Sequence, residues 1–363
     1  MLRSELLEAI RALPLPGYSK EHPLCLMEVC GTHTMAIAKA GLRQLLPPHI
    51  RLISGPGCPV CVTPAGALDT VLEFAMTPGV LLTTYGDLLR VPGSKRGDNL
   101  LARRAKGANV RTVYSPVDAL ALARENPQLQ VVFLAVGFET TAPGTAACIL
   151  QAQEEGLGNF SVLCLMKYTE PAIRAILAQE NCRVGGLICP GHVAAVTGSD
   201  AFAFLPEEYG LPAVTAGFEG QDVLRAVYAL CSMASQGKPA LENAYARVVR
   251  SGGNPVAMAM LHQVFEEKDD VWRGLGMIAH SGMAIRSEYA AFDAAKRFGL
   301  CGLERDAEKT SGCRCGDILR GVLEPQGCPL FGRVCAPGDP VGPCMVSGEG
   351  ACAAAYKYQG VNG

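Results

Sequence analysis

Three groups of cysteines stand out by their neighbours and spacing. The first is a single thiol in Glu28-Val29-Cys30-Gly31-Thr32-His33-Thr34. A strand is expected before it and a helix after it, to about Leu46, so Cys30 falls in a strand-to-helix loop where Gly31 permits unusual backbone angles. The positive end of that helix would favour a thiolate. His33, three residues on, can donate to a ligand or exchange a proton near neutral pH. The same residues also suit a plainer role, a buried cysteine beside a capping threonine. The second group is the CxxC of Cys58 and Cys61, inside Ser54-Gly55-Pro56-Gly57-Cys58-Pro59-Val60-Cys61-Val62-Thr63-Pro64. It stands directly before an expected helix, with Thr63 as N-cap and Pro64 as first helical residue. Such a pair can close a disulfide or supply half of a zinc site, although no second CxxC with finger spacing exists. The third group is Cys313, Cys315, Cys328, Cys335, Cys344 and Cys352, within 40 residues. Cys315, Cys328, Cys335 and Cys352 have 12, 6 and 16 residues between them. Four thiolates in one small Gly/Pro-rich segment suit a [4Fe-4S] cluster or an all-cysteine zinc site, and the lack of paired knuckles leans towards iron–sulfur. Cys313 and Cys344 are left over. The other seven cysteines lie mostly in apolar patterns and read as core.

The elements that must position these groups follow from apolar patterning. Strands are expected at Leu24–Val29, Arg51–Ser54, Val80–Thr84, Val110–Tyr114, Gln130–Val136, Ser161–Met166, Gly186–Cys189 and Pro212–Ala216, with helical stretches such as Ala65–Ala75 and Ser115–Glu125 between them. That alternation predicts an α/β fold of Rossmann-like βαβ units with parallel sheets. A compositional shift near Glu125–Gln130 suggests two such domains, 24–125 with Cys30 and the CxxC, and 126–238. An N-terminal helix and linker occupy 1–23. Residues 239–363 are expected to form a helical and Cys-rich domain that gains from a metal staple, with helices expected at Leu241–Arg250, Pro255–Glu267 and Glu288–Phe298. Thr84-Tyr85-Gly86-Asp87, Gly137-Phe138-Glu139-Thr140-Thr141, Pro190-Gly191-His192 and Gly217-Phe218-Glu219 each follow a strand, so they share the carboxyl edge with Cys30 and the CxxC. If the two units face each other, these loops ring one cleft; singly, each suits ordinary turn chemistry. The repeated Gly-Phe-Glu hints at related halves. No dinucleotide or Walker fingerprint is present.

Composition narrows the classes. Sixteen cysteines in 363 residues is a surplus, while 32 Lys+Arg against 34 Asp+Glu leave a formal net charge of −2. That balance argues against nucleic acid or an anionic membrane as partner. Met1–Leu13 mixes charged with apolar residues and reads as an amphipathic helix instead of a signal peptide. No apolar run approaches the roughly 18–20 residues of a membrane helix. The chain is expected to be soluble and cytoplasmic, where disulfide frameworks are rare and cysteines serve metal or redox chemistry.

Taken together, the motifs resemble one family, the hydrogenase maturation protein HypD family, over nearly the whole chain. The resemblance rests on Cys30-Gly31-Thr32-His33-Thr34, Gly55-Pro56-Gly57-Cys58-Pro59-Val60-Cys61, Gly137–Thr141 and Pro190-Gly191-His192-Val193. It also rests on the C-x12-C-x6-C-x16-C spacing and the tail from Cys344 to Cys352. It implies two α/β domains and a third carrying a [4Fe-4S] cluster, which selects iron over zinc and makes Cys315, Cys328, Cys335 and Cys352 the ligands. It implies a scaffold that assembles the Fe(CN)2(CO) unit of [NiFe]-hydrogenases in a stable complex with HypC. Cyanide arrives from HypE, and the hydrogenase large subunit is served indirectly. By position, Cys30 would bind the transient Fe(CN)2(CO) iron together with a HypC cysteine, supported by His33 and Thr34. Cys58 and Cys61 would be a redox-active pair similar to that of ferredoxin:thioredoxin reductase, with the cluster as a source of electrons. A freestanding iron–sulfur disulfide reductase is the alternative. Ala194-Ala195 after the Pro-Gly-His-Val motif and the extra Cys313 depart from the family pattern; neither touches an expected ligand.

Overall fold

The structure is a computed structural model and describes residues 2–305 and 312–360. Eleven strands are present among the described residues: β1 (Leu24–Glu28), β2 (Ile50–Ser54), β3 (Val80–Thr84), β4 (Val110–Thr112), β5 (Gln130–Ala135), β6 (Phe160–Cys164), β7 (Val184–Pro190), β8 (Ala213–Ala216), β9 (Leu241–Asn243), β10 (Phe265–Trp272) and β11 (Gly276–Ile285). The first eight fall where the apolar runs place them. β1, β3 and β8 are buried at every position, which is why they read as continuous runs instead of alternating ones.

The strands build two parallel sheets and a hairpin. One sheet has the order β2-β1-β7-β8-β9, the other β4-β3-β5-β6, and β10 pairs antiparallel with β11. The expected division at residues 125 and 126 does not separate the sheets. The chain lays down β1 and β2, leaves to build all of β3 to β6, and returns for β7 to β9. β1 is therefore an interior strand, joined to β2 in the register Leu24↔Ile50 to Glu28↔Ser54 and to β7 through Leu26↔Gly186 to Glu28↔Ile188. One continuous core runs from Met27 and Ile53 of the first sheet through Leu82 and Val132 of the second to Ile318, Leu319 and Met345 near the C-terminus.

Several local expectations are corrected. The helix after Cys30 covers Gly31–Lys39 and stops where Gly41 turns left-handed (φ 63°), and a separate turn covers Leu42–Leu45. Leu241–Arg250 is not a helix: it gives edge strand β9 and a turn tied by Asn243, whose Nδ2 donates to Val249 O at 2.9 Å. Pro255–Glu267 is helical only over Pro255–Val264, after which Phe265 enters β10 opposite Ile285. Glu288–Phe298 breaks into a 3-10 turn, Ser287–Phe292, and a helix, Ala294–Arg297, because Asp293 caps the second. The β10–β11 hairpin extends the second sheet beyond β6: Tyr168 N–H donates to Ser281 O at 2.8 Å and Met283 N–H to Met166 O at 3.0 Å. The two sheets share a strand order about their central strands, but Gly-Phe-Glu follows β5, beside the central strand of its sheet, and β8, one strand further out in the other. The echo does not mark equivalent positions.

Candidate functional site

In open parallel sheets ligands bind where strand order reverses, at the carboxyl ends of the strands. In the first sheet that point lies between β1 and β7, and Cys30 is two residues past the end of β1. It sits extended (φ −148°) as the N-cap of the Gly31–Lys39 helix. Two close approaches fix the loop. Gly31 N–H donates to Gly57 O at 3.0 Å. A Cβ on Gly57 would stand 2.1 Å from Cys30 N, so only glycine lets the CxxC loop lie against the Cys30 loop. A Cβ on Gly31 would stand 2.3 Å from Glu349 Cβ, so this glycine serves close contact and not an unusual φ. Gly55 N–H is taken by Glu28 O at 2.7 Å.

Cys30 is buried beside two carboxyl groups. Its N–H donates to Glu28 Oε2 at 3.1 Å, and the Thr34 hydroxyl donates to Glu28 Oε1 at 2.5 Å. Thr32 Oγ1 donates to Glu349 Oε1 at 2.8 Å. Burial, then the Glu349 carboxyl, push the Cys30 thiol up to about 12, against the pull of the His33 and Thr32 backbone N–H groups. The thiolate expected from the helix dipole is thus not favoured: the charge of a helix end is worth less than burial next to acids. Burial likewise pushes Glu28 up to about 7, although Thr34, Ser54, Arg43 and the Cys30 N–H oppose it. Arg43 reaches in behind Ser54, donating to Ser54 Oγ and Leu52 O, both at 3.1 Å.

His33 is fully buried. Its Nε2 lies 3.0 Å from Gly217 O and 3.2 Å from Ala216 O, so that nitrogen carries the proton and donates to the loop after β8. Burial pulls the ring down to about 4. The imidazole is neutral at pH 7 and does not exchange protons near neutrality; it pins Cys30's helix to the β8 loop. Phe218 packs between the two histidines, 4.7 Å from His33 and stacked 3.9 Å from His192.

Cys58 and Cys61 are joined as a disulfide with Cα atoms 5.2 Å apart. They lie inside their own short helix, Pro59–Val62, with Cys58 as N-cap. Thr63 ends this helix, its hydroxyl donating back to Pro59 O at 2.9 Å, and the next helix starts at Ala65. Both cysteines are buried.

The C-terminal cysteines meet around one cavity. Cys313, Cys315, Cys328, Cys335, Cys344 and Cys352 all line it, with Ile318, Leu330, Phe331 and Met345 as apolar wall. Burial, then the proximity of Cys313, Cys315, Cys335 and Cys328, hold the Cys352 thiol well above the usual range. Among the described residues no three His, Cys, Asp or Glu side chains are placed to hold a single metal ion. The donor set is all sulfur and is spread round a cavity wall, and burial raises the Cys335 and Cys352 thiols. This fits a multi-iron thiolate site, where the metal itself supplies the compensating charge.

The loops expected to share one edge are brought together only in part. The loops after β1, β2, β7 and β8 meet through the Gly31–Gly57 contact and the His33–Phe218–His192 stack. Asp87, after β3, joins through Ser347 and the nearby Glu349. The Gly137–Thr141 loop is turned to the hairpin: Phe138 stacks on Trp272 at 5.9 Å, and Glu139 accepts from the Thr169 N–H and hydroxyl, both at 2.7 Å. Sequence assigns no role to Glu28 or Glu349, although Glu28 heads the Cys30 motif and Glu349 lies in the Cys344–Cys352 tail. A lone acid ending an all-buried strand two residues before a loop cysteine is the signal that marks Glu28; the contact of Glu349 with Thr32 spans 317 positions and has no sign in either motif.

Comparison with known proteins agrees with the motif resemblance. The family described as "HypD: Hydrogenase formation hypA family" matches residues 2–359. The chain is 51% identical over 342 residues to the hydrogenase maturation factor HypD of Azotobacter vinelandii, covering 92% of this chain and 89% of that one. It is 46% identical over 358 residues to HypD of Rhodobacter capsulatus (98% and 94%), and 45% identical over 344 residues to HypD of Escherichia coli K12 (94% and 91%).

Proposed function

This chain belongs to the HypD family of hydrogenase maturation factors, and from that premise we propose that it is the scaffold on which, with HypC, the Fe(CN)2(CO) unit is assembled. Cyanide comes from HypE, the finished unit reaches the hydrogenase large subunit indirectly, and the work is cytoplasmic. No helix among the described residues is long and apolar enough to cross a membrane, which is compatible with that location. The observation that carries the reading is the backbone contact between the Cys30 loop and the disulfide loop, Gly31 N–H to Gly57 O at 3.0 Å, at the carboxyl edge of the first sheet and next to the point where strand order reverses.

Cys30 supplies the thiolate for the iron, which is cargo here. A low-spin ferrous ion with cyanide and CO prefers soft sulfur. With its pKa near 12, Cys30 stays a thiol in the empty chain and gives up its proton only when the metal arrives, which guards it against stray oxidation. Glu28, itself held by the Thr34 hydroxyl, accepts the Cys30 N–H, and His33 fixes the helix that follows. The Cys58–Cys61 disulfide accepts two electrons and two protons to give two thiols beside this site. A [4Fe-4S] cluster bound by Cys315, Cys328, Cys335 and Cys352 would supply single electrons there.

The scaffold and the freestanding reductase differ over Cys30. In cells, Cys30→Ala is expected to abolish hydrogenase maturation while the purified variant still cycles its Cys58–Cys61 disulfide at the wild-type rate. A Cys30→Ala chain that matures hydrogenase would favour the reductase.

A further inference from the structure

The turn between β10 and β11 reaches both cysteine centres. β10 ends at the buried Trp272, and the N–H of the next residue, Arg273, donates to Val62 O at 2.8 Å, at the end of the helix that carries the disulfide. Gly274 then lies backbone to backbone on Gly316: a Cβ there would stand 2.4 Å from Gly316 Cα, next in sequence to Cys315. The side chain of Arg273 goes the same way. Its positive charge lies within electrostatic reach of Cys313, Cys315 and Cys344. Its Nη1 is buried and has no hydrogen-bond partner.

Arg273 is half-buried, but a buried guanidinium N–H with no acceptor still costs free energy. Such a donor is kept where something occupies the space opposite it. Cysteinyl and sulfide sulfurs of an iron–sulfur cluster are acceptors, and the cluster with four thiolates is anionic. Hydrogen bonds and positive charge at those sulfurs stabilise the reduced, more negative state more than the oxidised one.

Resting on the reading of the cysteine cavity as a [4Fe-4S] site, we propose that Arg273 donates its unpaired Nη1–H to a ligand or cluster sulfur and thereby raises the reduction potential of the cluster. It acts through the sulfurs, so it is a positioning and tuning residue. Its backbone tie to Val62 survives side-chain substitution and leaves the disulfide helix in place.

The test uses full-length chain purified without oxygen, as wild type, Arg273→Met, Arg273→Lys and Arg273→Gln. Iron and acid-labile sulfide are measured first, then the one-electron midpoint by potentiometric titration followed by electron paramagnetic resonance. With cluster content unchanged, Arg273→Met is expected to lower the equilibrium constant for reduction at least tenfold, about 59 mV for one electron. Arg273→Lys, which keeps the charge, should fall between it and wild type. A midpoint unmoved in Arg273→Met at full iron and sulfide overturns the inference. If Arg273→Met does not hold its cluster, Arg273→Gln decides in its place: a more negative midpoint supports the inference and an unmoved one overturns it. Wild-type protein that carries zinc and no sulfide overturns the cluster reading, and the inference with it; that result is read before any variant is compared.

Discussion

Single residues at this site are set by burial more than by the charges that sequence makes visible. The helix N-terminus next to Cys30 predicts a thiolate, yet Glu28 and Glu349 crowd a thiol that is 8% exposed, and neutrality wins. His33 follows the same rule from the other side. Its ring titrates near 4 when folded and near 6.5 when unfolded. A base with a depressed folded pKa contributes its stability fully above the unfolded value and loses it as pH falls through the folded one. Between pH 6.5 and pH 4 the wild type should lose about 3 kcal/mol relative to His33→Gln. Urea unfolding of both proteins across that window measures the difference. Glu28 titrates in an overlapping range but is common to both and drops out. A difference that does not change with pH would contradict a neutral buried ring. The identity of the cysteines was legible from spacing; the protonation of Cys30 was not, because burial in the folded chain decides it and the Glu349 carboxyl that adds to it comes from 319 positions away.

The elements divide into those that carry their own signal and those that do not. Buried parallel strands are mainly apolar, so most of β1 to β8 could be read directly, with β4 (Val-Arg-Thr, only Val110 buried) the weakest signal. Sheet membership could not: β2 and β3 are consecutive in the chain and belong to different sheets, and only pairing with β1 and β5 tells them apart. β9, β10 and β11 were missed because an edge strand of three residues, a strand reading Phe-Glu-Glu-Lys-Asp-Asp-Val-Trp and its partner reading Gly-Met-Ile-Ala-His-Ser-Gly-Met-Ala-Ile lack a clear period; pairing makes them strands. The junction between the Cys30 loop and the disulfide loop belongs to this scale. At Gly57 the atoms a methyl group would meet are backbone atoms of Val29 and Cys30, which no rotamer change can move aside. Gly57→Ala should therefore cost about 2–4 kcal/mol in denaturant unfolding, and the maturation it supports should fall further than the lost stability explains. Wild-type stability in that variant would mean that the two loops are not held in contact.

The whole molecule is tied together by a chain that leaves its first sheet and returns. The hairpin closes that path, and its anchor is the buried pair of Lys167 Nζ and Asp270 Oδ2 at 2.5 Å, with Val271 O as a second acceptor at 2.9 Å. Breaking one side strands a buried charge: Lys167→Met should cost about 3–5 kcal/mol, while the Lys167→Met/Asp270→Leu double variant should regain most of it. Thermal and urea unfolding separate these outcomes, and equal losses in single and double variants would deny that the pair is buried and coupled. Through this hairpin the second sheet is joined to the disulfide helix and the cysteine cavity, and through Glu349 the C-terminal segment is joined to Cys30. The sequence motifs named these centres separately; their contacts are a property of the folded chain. Infrared spectroscopy of the chain purified with HypC in the absence of oxygen decides whether Cys30 holds the iron being assembled. Cyanide and carbonyl stretching bands should be present in the wild type and lost from Cys30→Ala, and bands persisting unchanged in Cys30→Ala would put the iron on other ligands.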